Sequence, residues 1–177
     1  MSVESEAGEE RPTSEVTIRL ARDGDRARLW QILEPIIREG ETYAWPRDLE
    51  REAALQMWSA GDAEVFVAEL ADAVVGTAYL KTNHLGGGDH VANCGYATAG
   101  EAEGNGVARA LCAHTIERAS QRGFRAIQFN FVVSTNLRAV ATWERFGFER
   151  VGVLPGAFRH PSKGEVDVYV MYRRLEG

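Results

Sequence analysis

The chain has 177 residues, enough for one domain with a full hydrophobic core and short for two. Its 45% hydrophobic and 26% charged residues suit an ordinary globular protein and exclude collagen, coiled coil and wholesale disorder. A net charge of -6 opposes non-specific binding to nucleic acid and mildly favours cationic small molecules as partners.

Two cysteines, Cys94 and Cys112, stand without metal-ligand spacing, so neither a disulfide framework nor a structural zinc site is indicated and no metal is expected. The first ten residues lack the basic start and apolar run of a signal peptide, and no stretch of 18 apolar residues occurs. A cytoplasmic protein is expected, with no membrane and no nucleic-acid partner.

Residues 1 to 14 are polar and acidic and read as a mobile tail, leaving residues 15 to 177 as a single domain. Val16 to Leu20 alternates as a strand, and Asp23 to Asp25 offers caps for a helix reaching about Arg38. Gly40 to Pro46, with Tyr43 and Trp45, interrupts. A second helix runs from about Asp48 to Ser59. Glu64 to Leu70, the Ala71-Asp72 turn and Val74 to Leu80 read as a hairpin, and Gly86 to Gly88 as a flexible connection.

His90 to Thr98 is the next strand. Ala108, Leu111, Cys112, Thr115, Ile116 and Ala119 then mark the apolar face of a helix ending near Arg122-Gly123. Ala126 to Val132 is a strand, Asn136 to Phe146 a helix stopped by Gly147, Phe148 to Leu154 a strand, and Asp167 to Tyr172 the last strand. The order β-α-α-β-β-β-α-β-α-β-β predicts an α/β (α+β) mixed sheet with helices on its faces.

Gly104-Asn105-Gly106 follows a strand and opens the most periodic helix. In that place, unpaired backbone N–H groups and the positive end of the helix dipole make an anion site for a phosphate or diphosphate. A tight turn with no ligand is the competing reading. The P-loop and the dinucleotide fingerprint are excluded, because the Gly-Lys-Ser/Thr ending of one and the third Gly of the other are missing.

Glu103-Gly104-Asn105-Gly106-Val107-Ala108 resembles the Arg/Gln-x-x-Gly-x-Gly/Ala signature of the GNAT superfamily of acyl-CoA N-acyltransferases. Asn136 to Phe148, with Ala139, Trp143 and Gly147, is similar to that family's second block, Asn-x-x-Ala-x-x-x-Tyr-x-x-x-Gly-Phe. The resemblance spans about residues 16 to 174. It implies the GNAT fold, a single N-acetyltransferase domain, acetyl-CoA as acyl donor and a primary amine, here that of a small molecule, as acceptor.

By the same resemblance, backbone groups around Thr98 pair with the pantetheine arm. Gly104, Asn105, Gly106, Val107, Ala108 and Arg109 hold the diphosphate, and Asn136 touches the far end of the cofactor. Arg138, with Arg145, is a further candidate for the phosphates, and Tyr43 and Trp45 correspond to the acceptor-binding loop. A homodimer joined through the last or edge strands is common among the proteins it resembles.

Two positions depart from the family pattern. Glu103 puts a carboxylate where Arg or Gln stands, close to the expected diphosphate. Trp143 occupies the place of the tyrosine that protonates the leaving thiolate in many members, and an indole has no proton to give. The departing thiol has a reference pKa of roughly 8.5, so solvent is one alternative donor.

The attacking amine must shed a proton, and His90 is the candidate base on the strand face it shares with Ala92, Cys94, Tyr96 and Thr98. His84, Glu41 and His160 are its rivals, His160 from an exposed connection before the last strand. Cys94 is expected to be a small core residue and not a nucleophile. A longer acyl donor and a catalytically silent acetyl-CoA sensor are the alternative functions.

Overall fold

The period-two pattern of the central strands sends neighbouring side chains to opposite sides of a sheet, and helices cover both sides. The computed structural model describes residues 15–176, so the tail expected over residues 1 to 14 lies outside the described residues. In chain order the elements are β1 (Thr17–Leu20), α1 (Arg26–Glu39), α2 (Arg51–Trp58), β2 (Glu64–Leu70), β3 (Ala73–Thr82), β4 (Val91–Thr98), α3 (Val107–Gln121), β5 (Ala126–Val133), α4 (Leu137–Arg145), β6 (Glu149–His160) and β7 (Gly164–Arg174). This is the order expected from the sequence.

The seven strands lie in the order β1-β2-β3-β4-β5-β7-β6, and every neighbouring pair is antiparallel except β4 and β5. On one face, Phe66, Leu80, Ala92, Cys94, Ile127 and Met171 bury against Leu111 and Cys112 of α3 and Val140 and Trp143 of α4. On the other, Val67 and Ala97 bury against Leu29, Ile32, Leu33 and Ile37 of α1 and Leu55 and Trp58 of α2. Among the described residues, no helix is long and apolar enough to cross a membrane.

The parallel pair is short. β4 and β5 match only at Val91 with Ala126 and Ala92 with Ile127, after which the strands part. Ala99 N–H bonds to Val75 and Asn83 N–H to the Val91 carbonyl, both toward β3. Residues 94, 96 and 98 therefore turn their backbone groups away from β3 and into the split. The split opens where the Gly104–Gly106 turn and α4 begin, and it sets the position of everything below.

The sequence reading needs correction at the last two strands. The strand expected over Phe148 to Leu154 does not end there, because β6 continues past Pro155-Gly156 to His160 through bulges between Arg150 and Gly152 and between Leu154 and Phe158. As the edge strand, β6 tolerates a proline that cannot donate to a ladder, and the Asp167 carboxylate takes the Gly156 N–H at 2.9 Å. His160 is consequently the end of a strand and is 4% exposed, not part of an exposed connection. At the other end of β4, His90 lies in the preceding turn and is exposed.

Candidate active site

α3 starts from two left-handed glycines, Gly104 at φ 82° and Gly106 at φ 78°, a backbone state that costs other residues about 1–2 kcal/mol. A Cβ on either would meet no protein atom within 4 Å, so the space in front of the turn is open. The first N–H groups of the helix face outward with no carbonyl four residues back to receive them. An anionic diphosphate fits this end on both charge and room.

That end forms part of a cavity of about 590 Å³ inside the split. Thr98, Glu103, Gly104, Gly106, Val107, Ala108 and Arg109 line one wall, and Asn136, Arg138 and Ala139 another. Asn105 is not on the lining; its N–H closes the turn onto the Ala102 carbonyl at 3.3 Å. Asn136 begins α4, and its Oδ1 accepts the Ala139 N–H at 3.2 Å, so its carbonyl oxygen is used as a helix cap.

Glu103 faces Arg138 across the cavity mouth, with the guanidinium donating at 2.6 Å, and both side chains are exposed. The carboxylate is thus paired, and Arg138 is held by it. Arg145 is exposed on α4 and lines no part of this cavity.

A second cavity, of about 400 Å³, lies on the other side of the split. Tyr43 and Trp45 stack on each other at 5.2 Å on one side of it, with Tyr79, Phe129, Phe131 and Trp143 around them. No carboxylate, guanidinium, ammonium or imidazole is in its lining. Among its polar groups, the Tyr79 hydroxyl donates to Asn93 Oδ1 at 3.0 Å, and Asn93 Nδ2 donates to the Gln128 carbonyl at 2.9 Å. Burial pushes the Tyr79 phenol up to about 12, with Cys94 adding to the effect.

Sequence reasoning missed Tyr79, Asn93, Asn130 and Phe131. One signal was available, a glycine inside a strand, which marks close approach. A Cβ at Gly95 would meet the Tyr79 ring at 2.3 Å, so Gly95 is what lets that phenol lie over β4.

Thr42, Tyr96, Asn136, Ala139 and Trp143 line both cavities and form the passage between them. Trp143 is 7% exposed, and its ring lies 4.7 Å from Tyr96 and 5.2 Å from Phe129. The Tyr43 hydroxyl donates to the Tyr96 carbonyl at 2.5 Å and accepts the Tyr96 N–H at 3.2 Å.

Cys94 is buried, and burial pushes its thiol up to about 12, so it is a neutral core residue at physiological pH. His90 and His84 line neither cavity. Glu41 and His160 both line the larger one, with His160 Nε2 3.9 Å from Glu41 Oε2 and His160 Nδ1 accepting the Ser162 N–H at 3.2 Å.

The family model for the acetyltransferase (GNAT) family matches residues 29–148, more than half of the chain. The chain belongs to that family. A GCN5-related N-acetyltransferase from Kribbella flavida superposes on this GNAT chain with a TM-score of 0.87 at 41% identity, over 90% of this chain and 98% of that one. YncA of Salmonella typhimurium, a putative acetyltransferase solved with its cofactor acetyl-CoA, superposes at a TM-score of 0.81 and 20% identity, over 93% of this chain and 96% of that one, a likeness of fold. The N-acetyltransferase aca1 of Schizosaccharomyces pombe is 32% identical over 98 residues, which is 55% of this chain and 47% of that protein. The chain therefore spans about half the length of this curated relative.

Proposed function

We propose that this GNAT protein transfers an acetyl group from acetyl-CoA directly to a primary amine of a small molecule. The observation that carries this reading is the pair of cavities meeting inside the split of one sheet, one ending on the open turn of α3 and the other walled by uncharged aromatics. A passage walled by residues of both cavities joins the proposed diphosphate end to the proposed acceptor chamber, as direct transfer needs. The volume of the second cavity, about 400 Å³, suits a small acceptor.

Acetyl-CoA, when bound, supplies the acetyl group as an activated thioester. On this reading the N–H groups of Gly106 to Arg109 hold the diphosphate, with Arg109 beside them. Backbone groups of residues 94 and 98, turned into the split, take the pantetheine arm and the developing oxyanion, since a preorganised N–H there stabilises charge as it forms. Tyr43 and Trp45 enclose the acceptor.

Glu41 is the proposed receiver of the amine proton, in place of His90. His160 uses Nδ1 to accept the Ser162 N–H and turns Nε2 toward Glu41, 3.9 Å away, which leaves the carboxylate as the acceptor facing the cavity. The two unpaired cysteines are the ground for proposing a cytoplasmic setting.

Thiol release from acetyl-CoA, followed with a mixed panel of small amines, tests the function. Release that depends on an added amine, and falls in Glu41→Gln, is the expected result. Tight acetyl-CoA binding without amine-dependent release would favour a silent sensor, and faster release from longer acyl-CoA esters would replace acetyl by a longer group.

A further inference from the structure

Acetyl transfer leaves a sulfur that must take up a proton, and the residue at 143 is an indole. The passage between the two cavities is where that sulfur has to lie, because only there do the cofactor side and the acceptor side share walls. The groups bordering the passage can be taken one at a time. Asn136 caps α4 through its carbonyl oxygen, its Nδ2 amide can donate a hydrogen bond but gives up no proton, and Ala139 has no polar side chain. The Tyr96 hydroxyl lies 2.7 Å from Thr115 Oγ1 on the α3 side of the sheet. Thr42 carries an alcohol, and unlike the Tyr43 hydroxyl it is not seated on the Tyr96 backbone.

Tyr43 is different. Its hydroxyl reaches into the split itself and sits on the backbone of Tyr96, where β5 has parted from β4 and left those groups without a strand partner. The two bonds have separate consequences. The Tyr96 N–H fixes the phenol oxygen, while the phenol proton lies on the Tyr96 carbonyl and must leave it, by rotation about the C–O bond, to reach another acceptor. We propose that the Tyr43 hydroxyl is the proton donor to the departing sulfur, the task that the Trp143 indole N–H cannot perform.

This inference rests on the acetyl-transfer reading. In the step, the bond from nitrogen to the acetyl carbon forms and the bond from carbon to sulfur breaks. The sulfur takes the Tyr43 proton, the nitrogen gives one up to Glu41, and Tyr43 is reprotonated from solvent, so one proton moves in net from nitrogen to sulfur. Burial raises the Tyr43 phenol well above its ordinary value, and the nearby Tyr79 adds to this, so the hydroxyl carries its proton when the thioester arrives. The Tyr96 N–H then steadies the oxygen during the moment in which it has given that proton away.

The test compares wild type with Tyr43→Phe, which keeps the ring and removes only the hydroxyl. Calorimetry of acetyl-CoA, thermal melting, kcat, and the pKa of the bound CoA thiol, read from thiolate absorbance, are measured on both. The expected result is unchanged acetyl-CoA affinity, a melting temperature lower by a few degrees because the Tyr96 N–H and carbonyl lose their partner, a kcat lower by about 10- to 100-fold, and a bound thiol that ionises about one pH unit higher, a tenfold change. Adding Trp143→Tyr to the variant should recover part of the lost kcat. A Tyr43→Phe protein with wild-type kcat and wild-type thiol ionisation would overturn the proposal, as would one that loses acetyl-CoA binding or no longer melts cooperatively, which would make Tyr43 a structural wedge. A wild-type protein that binds no acetyl-CoA would instead overturn the function on which the proposal rests.

Discussion

Glu103 illustrates how one side chain changes meaning once its partner is known. In the sequence it is a carboxylate too close to an expected diphosphate; in the fold it holds Arg138 at 2.6 Å across the cavity mouth. Replacing it by Gln removes a negative charge and frees a guanidinium for the phosphates at the same time. Exposed pairs of this kind are typically worth about 0.5–1 kcal/mol, so Glu103→Gln should tighten acetyl-CoA binding about 2- to 5-fold in calorimetry. The gain should shrink at high salt, because both groups face solvent. Weaker binding would mean that the ion pair shapes the site and does not compete with the cofactor. The pairing itself was not legible in the sequence, since 35 residues and the β4–β5 split separate the partners.

At the scale of elements, the α3 turn was readable because local chemistry dictates it. Gly104 and Gly106 adopt left-handed backbone whatever packs nearby, and a periodic helix follows. Gly106→Ala keeps the charge pattern and strains the helix start, which should cost about 1–2 kcal/mol and lower Tm by about 2–8 °C. Acetyl-CoA affinity should fall in the same variant, and an unchanged affinity would remove the turn from the binding site. The end of β6 was not readable for the converse reason. Pro155 is a strong local stop, and only pairing to β7 carries the strand past it, placing His160 inside the cleft. The aromatic chamber was half legible. Tyr43 and Trp45 stand out in their loop, whereas Tyr79 and Asn93 come from alternating positions of buried strands whose shared cavity exists only after β4 and β5 part.

For the molecule as a whole, the sheet does two jobs that sequence order alone cannot separate. Its antiparallel parts bury the core, and its short parallel pair opens to make the site. The core carries groups that must stay neutral: burial pushes the Cys94 and Cys112 thiols, and burial with Cys94 nearby the Tyr79 phenol, up to about 12. The unfolded chain would ionise its thiols from 9.0 and this phenol from 10.0, so above pH 9 it holds fewer protons than the folded protein. Stability from these groups is complete below pH 9 and drains away as pH rises toward 12. Tm should therefore fall by several degrees between pH 9 and 10.5, and Cys94→Ala should lessen the slope. A flat profile would show that the thiols ionise in place.

The two cavities joined through one split are what the proposed direct acetyl transfer rests on. The most direct test is CoA thiol release from acetyl-CoA in the presence and absence of a panel of small primary amines, with the acetylated product identified by mass. Release that requires an amine, with one acetyl group appearing on that amine for each thiol formed, is the expected outcome. Tight acetyl-CoA binding with no amine-dependent release from any member of the panel would contradict it.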